Sequence, residues 1–120
     1  MQRAAMPRKV TENKIEITWD SQPLPNDPSP GYFVVLHFAE LRLLRGTALR
    51  QFYVRFNGEL LYPEAYTPGY LISGALYNTA PVRSSEFIVS IEATPASTRP
   101  PLLNAMEIFT VMSTTKADIP

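Results

Sequence analysis

The sequence predicts an all-β domain, an antiparallel sandwich, on three observations. Short segments alternate apolar and polar residues with period two, the step at which a strand turns successive side chains to opposite faces. Prolines, 12 in 120 residues, crowd the stretches between those segments, and each fixes φ and withholds a ladder donor. Six or so such segments follow one another at short spacing, the rhythm of a sandwich rather than of alternating strands and helices.

Lys14 to Trp19 alternates cleanly, with Ile15, Ile17 and Trp19 on a buried face and Glu16 and Thr18 opposite. Ser21 to Pro30 holds four prolines with Asn26 and Asp27, which makes it a surface loop. Residues 32–39 (YFVVLHFA) are apolar on both faces of the pleat, so they read as a central strand covered on both sides. Glu40 to Arg45 has helical propensity, but about six residues stopped by Gly46 are too few for a helix, and a loop or short turn is expected. Leu49 to Asn57 alternates again, with Phe52, Val54 and Phe56 on one face and Gln51, Tyr53 and Arg55 on the other. Asn57-Gly58 follows, a dipeptide that tolerates positive φ twice and so closes a tight hairpin, back along which Glu59 to Tyr62 should pair. Pro63 to Val82 is aromatic and turn-rich, with one short strand expected near Tyr70 to Ile72. Residues 86–93 form a strand with Phe87, Val89 and Ile91 inward, and Ile88 implies a partly covered outer side. After the rigid Pro100-Pro101 approach, residues 105–112 form the last strand, with helix an alternative in the first half of 102–112.

Composition narrows function. The length suits one domain with one core, since such a chain buries roughly two-thirds of its unfolded surface, and 45% hydrophobic residues supply that core. Eleven cations balance eleven anions and are scattered, which argues against nucleic acid as a partner. With no Cys there is no disulfide, thiolate nucleophile or Cys-ligated zinc, and a lone His37 excludes a histidine-cluster metal site. No cofactor or metal site is expected. No segment reaches the roughly 20 apolar residues of a membrane span, and Met1 to Lys14 has cations without the apolar core of a signal peptide.

Residue by residue, structural roles outweigh chemical ones. His37 shares its strand face with Phe33, Val35 and Ala39, so it is expected buried, neutral and hydrogen-bonded to backbone. Glu40 is expected to pair with a cation at the strand end. A glycosidase needs two carboxylates roughly 5–10 Å apart, and no spacing among Glu40, Glu59, Glu64 and Glu107 singles out a pair; catalysis is not expected. Tyr62, Tyr66, Tyr70 and Tyr77 are the candidate ligand-binding residues, because exposed aromatic rings offer flat apolar area and a hydroxyl to a sugar. The competing reading has them plug loops onto the core. Asn104 is expected to bond local backbone.

The segments YFVVLHFAEL (32–41), RQFYVRFNGE (50–59), YNTAPV (77–82) and ATPASTRPPLLNAMEIFTV (93–111) together resemble the malectin-like domain of plant receptor kinases. The resemblance implies a jelly-roll, carbohydrate-binding-module-like sandwich without catalytic activity, at the extracellular face of the plasma membrane in a parent receptor. It implies residues 1–114 as the later part of the second of two tandem malectin units, incomplete at its N-terminus, with 115–120 a tail. It also implies His37 in the core. Two function classes follow. One is a recognition module for a cell-wall oligosaccharide or a peptide, favoured by an open cleft lined by exposed tyrosines. The other is an interaction domain packing against the neighbouring malectin unit and the rest of an ectodomain, favoured by buried tyrosines and an exposed apolar patch.

Overall fold

Alternation in the sequence becomes eight strands and no helix in a computed structural model that describes residues 8–111. The strands are β1 (Arg8–Val10), β2 (Lys14–Asp20), β3 (Gly31–Phe38), β4 (Phe52–Phe56), β5 (Glu59–Leu60), β6 (Gly74–Tyr77), β7 (Glu86–Ala93) and β8 (Ala105–Val111). They form a five-stranded sheet in the order β1-β2-β7-β4-β5 and a three-stranded sheet in the order β6-β3-β8, every pairing antiparallel. Met112 and the expected tail lie outside the described residues.

The two sheets meet through one parity of each strand. Ile15, Ile17 and Trp19 of β2, Phe52, Val54 and Phe56 of β4, and Phe87, Val89 and Ile91 of β7 point into the core from the larger sheet. Tyr32, Val34, Leu36 and Phe38 of β3, with Leu76 and Ile108, point in from the smaller one. Rings lock the layers together, Tyr32 on Phe87 at 4.3 Å between centroids and Phe38 on Phe52 at 5.3 Å. Both contacts are tilted, an arrangement that suits the ring quadrupoles.

Asn57 and Gly58 carry φ of 48° and 86°, and the residues beside them pair Phe56 with Glu59, so the expected hairpin forms, although only Glu59 and Leu60 join the ladder. β4 begins three residues later than the alternation suggests because the 94–99 loop takes over the bonding of residues 49–51. Thr98 Oγ1 accepts from Leu49 N, Ser97 Oγ accepts from Gln51 N, and Thr94 N donates to Gln51 O.

Several expectations are corrected by the packing. β3 is covered on one side only. A three-stranded sheet has a single partner layer, so Phe33, Val35 and His37 stay half-exposed outside, with Phe33 opposite Phe109 and Val35 opposite Tyr77 and Glu107. His37 is accordingly not a core histidine bonded to backbone: it is 38% exposed and its Nε2 lies 2.8 Å from Glu107 Oε1. The short strand is not at Tyr70 to Ile72 but at Gly74–Tyr77. Tyr70 makes one isolated bridge to Glu40, and Leu71 turns the chain with a φ of 56°. The helical alternative at 102–112 does not form. Asn104 bonds distant backbone rather than local, its Oδ1 accepting from Ala39 N and its own N–H donating to His37 O.

Deleting the Phe38 ring is expected to cost about 3–5 kcal/mol, since a fully buried ring leaves a cavity in a close-packed core. Arg8→Ala, on the exposed β1, should cost less than about 0.5 kcal/mol. Urea denaturation of both variants checks this, and equal small losses would place β3 wrongly in the core.

Candidate ligand-binding surfaces

At one end of the sandwich the inward parity of the strands runs past their last apolar residue into a charge. Position 40 continues the inward even-numbered face of β3, and position 50 continues that of β4, so Glu40 and Arg50 meet where the ends of the two sheets face each other. Their side chains are 5% and 8% exposed, with Arg50 Nε 2.6 Å from Glu40 Oε1 and Nη2 3.4 Å from Oε2. Arg50 Nη1 donates to Pro100 O at 2.6 Å. The expected pairing of Glu40 is therefore present. Its partner was readable in principle, because Arg50 shares the parity of Phe52, Val54 and Phe56.

Glu40 also anchors two loops by its backbone: its N–H donates to Gly69 O and its carbonyl accepts from Leu71 N. Above the ion pair opens a cleft of about 190 Å³ walled by Leu43, Leu44, Leu49, Thr67, Pro68 and Tyr70. Leu43 on the cleft wall, and Leu41, Leu71 and Ile72 on the same two loops, stand exposed, between half and two-thirds of each open to solvent. Arg42 lines the cleft beside them.

The four candidate tyrosines do not converge. Tyr66 exchanges both backbone hydrogen bonds with Phe52, and its ring packs 5.3 Å from Phe38 and 5.9 Å from Phe52. Its hydroxyl reaches over Gly74, where a Cβ would collide with it. Burial, and then the neighbouring Tyr62, push its phenol above the ordinary value of about 10. Tyr62 lies edge-on to Tyr66 at 5.4 Å. Both plug a loop onto the core. Tyr70 stands on the cleft wall, 46% exposed, and Tyr77 lies on the outer face of the small sheet opposite Val35.

The carboxylates weighed for hydrolysis are dispersed. Glu40 is held by Arg50, Glu107 sits beside His37 on the outer face of the small sheet, Glu59 is on the β4–β5 hairpin and Glu64 is exposed in the loop after it. Among the described residues no group of three His, Cys, Asp or Glu could hold a metal ion, and no helix is long and apolar enough to cross a membrane.

Comparison with known proteins gives a consistent result. The malectin-like domain family matches residues 1–111. A probable LRR receptor-like serine/threonine-protein kinase of Arabidopsis thaliana is 34% identical over 114 residues, which cover 93% of this chain and 12% of that protein. A receptor-like protein kinase of the same plant is 36% identical over 97 residues, 79% of this chain and 11% of the relative. The chain thus spans about an eighth of the length of such relatives. Among solved structures, a family 35 carbohydrate binding module from Clostridium thermocellum aligns over 83% of this chain and 73% of its own, with a TM-score of 0.47 and 17% identity. With the family's pattern matched over 111 of 120 residues, and relatives above 30% identity along nearly the same span, the chain belongs to the malectin-like domain family.

Proposed function

We propose that this domain is a non-catalytic recognition module in the extracellular part of a plant cell-surface receptor, and that its loop end, an exposed apolar patch beside tyrosines packed on the core, engages a protein surface: a peptide ligand or, as the interaction-domain reading has it, the neighbouring malectin unit. The observation that carries this reading is the cluster of Leu41, Leu43, Tyr70, Leu71 and Ile72, exposed on two loops that Glu40 ties together. Aliphatic side chains left in water on neighbouring loops are an interaction surface by their chemistry, because burying them against a partner recovers roughly 25 cal/mol per Å². Loops held by a rigid scaffold are also where binding residues concentrate.

The same end supports a saccharide less well. A pyranose is commonly gripped by exposed rings, and only Tyr70 of the four tyrosines stands on this cleft, with Tyr62 and Tyr66 committed to the core. The similar Arabidopsis proteins are receptor-like kinases, and a malectin-like domain in the extracellular part of such a receptor would contribute recognition.

Selection of a displayed peptide library on the immobilised domain tests the reading. Amphipathic peptides with bulky apolar side chains should be enriched. Leu43→Asp should weaken them by about tenfold or more, as expected for loss of a central apolar anchor worth at least about 1.4 kcal/mol. Enriched peptides that bind Leu43→Asp as well as the unaltered domain, or no enrichment at all, would refute it.

A further inference from the structure

Charge is distributed unevenly along this chain, and the loop end collects its cations. Residues 39–51 join β3 to β4, residues 61–73 join β5 to β6, and residues 94–104 join β7 to β8. The register brings all three connections to one end of the sandwich, because Phe38 pairs with Gly74, His37 with Ala105, and Phe52 with both Ala93 and Tyr66. They hold Arg42, Arg45, Arg50 and Arg99 against Glu40 and Glu64, in a chain whose cations and anions balance overall. The loop end is therefore cationic.

Only Arg50 has its charge answered from within. It holds Glu40, with a further donor on Pro100 O, and this removes the one carboxylate that lines the cleft. Arg42 lines the same cleft with Leu43 and Tyr70, and its guanidinium makes no hydrogen bond or ion pair among the described residues. Its backbone is fixed nonetheless, the N–H lying 3.4 Å from Glu40 Oε2, so an anchored main chain presents a free head group. Arg45 is exposed and equally unpaired among the described residues. Arg99 keeps its Nε buried without a partner beside Leu49, to whose carbonyl its own N–H donates.

Taking the loop end as a binding surface, we infer that its partner is an acidic, apolar peptide, one that sets an Asp or Glu side chain between bulky apolar ones. The order Leu41-Arg42-Leu43-Leu44-Arg45 interleaves exposed guanidinium groups with aliphatic chains, and such a peptide is its complement in both respects. A carboxylate meets the planar Arg42 fork through two parallel hydrogen bonds. The flanking apolar groups cover Leu43 and Tyr70 and drive water from around that pair, which lifts it above the small worth of an exposed ion pair. Other partners fit less well. A purely apolar peptide would cover the Arg42 charge without pairing it, a basic peptide would be repelled, and a polyanionic glycan would leave the leucines in water.

Selection of displayed random dodecapeptides on the full chain, followed by synthesis of the tightest binder with each carboxylate changed to its amide, tests the inference. Asp or Glu should be enriched beside bulky apolar residues. One amide change should weaken binding about fivefold at low salt, with a smaller difference at high salt where charges are screened. On Arg42→Gln the carboxylate and amide peptides should bind alike, a loss of coupling that a merely structural role would not produce. Arg42→Glu should shift the preference to the same peptide carrying Lys. Arg55→Gln removes a cation from the outward parity of β4 and should keep the preference for the acid. Apolar peptides enriched without acidic residues, or an acid preference undiminished by Arg42→Gln, would overturn the inference and leave the loop end a binding surface. No enrichment of any peptide would overturn both. Competition by hexagalacturonate as strong as that by the peptide would give the arginines to a glycan and also overturn it.

Discussion

The buried pairing of Glu40 with Arg50 is the constraint on which the loop end of this domain depends. A charge removed from water costs several kcal/mol unless its partner and hydrogen bonds replace the lost solvation. Here the replacement is complete: Glu40 faces the guanidinium on both oxygens, and Arg50 spends a further N–H on Pro100 O. Because the partners extend β3 and β4, strands of different sheets, the pair clamps the two layers together where the apolar core runs out. The same glutamate holds the loop carrying Leu41 and Leu43 against the loop carrying Leu71 and Ile72 through its backbone. These bonds join the two loops that wall the cleft.

Much of the fold was legible because strand parity is a local signal. The inward sets of β2, β4 and β7 can each be read from within one segment, and so can the hairpin at Asn57-Gly58. Where partners are distant the reading fails. Asn78 Oδ1 accepts from Val34 N while its amide donates to Tyr32 O, and Asn57 makes the equivalent pair of bonds to Ile88 N and Glu86 O. These side chains stand in for backbone ladder partners, and nothing near them in sequence announces it. Phe33 and Val35 misled in the opposite way. Their apolarity suggested a second covering layer for β3, and the structure leaves that face half-open.

The candidate site was legible only in part. Tyr70 reaches a cleft as one of the four tyrosines weighed, while Tyr66 illustrates why aromatic residues in an irregular segment resist assignment: its backbone bonds to Phe52 and its ring fills the space between Phe38 and Gly74. The ELRLLR segment reads in the sequence only as a loop or short turn of helical propensity. The placement of its leucines follows from Glu40 and Arg50, and that pair needed the two sheets to be placed before it could be seen. Alternation also separates two surfaces chemically. The outer face of the large sheet is polar because the inner parity took the apolar residues, whereas the loop end is apolar because no second layer reaches it.

Amide hydrogen exchange on Glu40→Gln measures the central dependence directly. If the ion pair holds the loop end, protection at Glu40 and Leu71, whose amides bond Gly69 O and Glu40 O, should fall while the β2–β7 ladder keeps its protection. Unchanged protection at those two amides, or an equal loss through every strand, would contradict the account: the first would show that the loops stand without the pair, and the second that the pair supports the whole sandwich and not its loop end in particular.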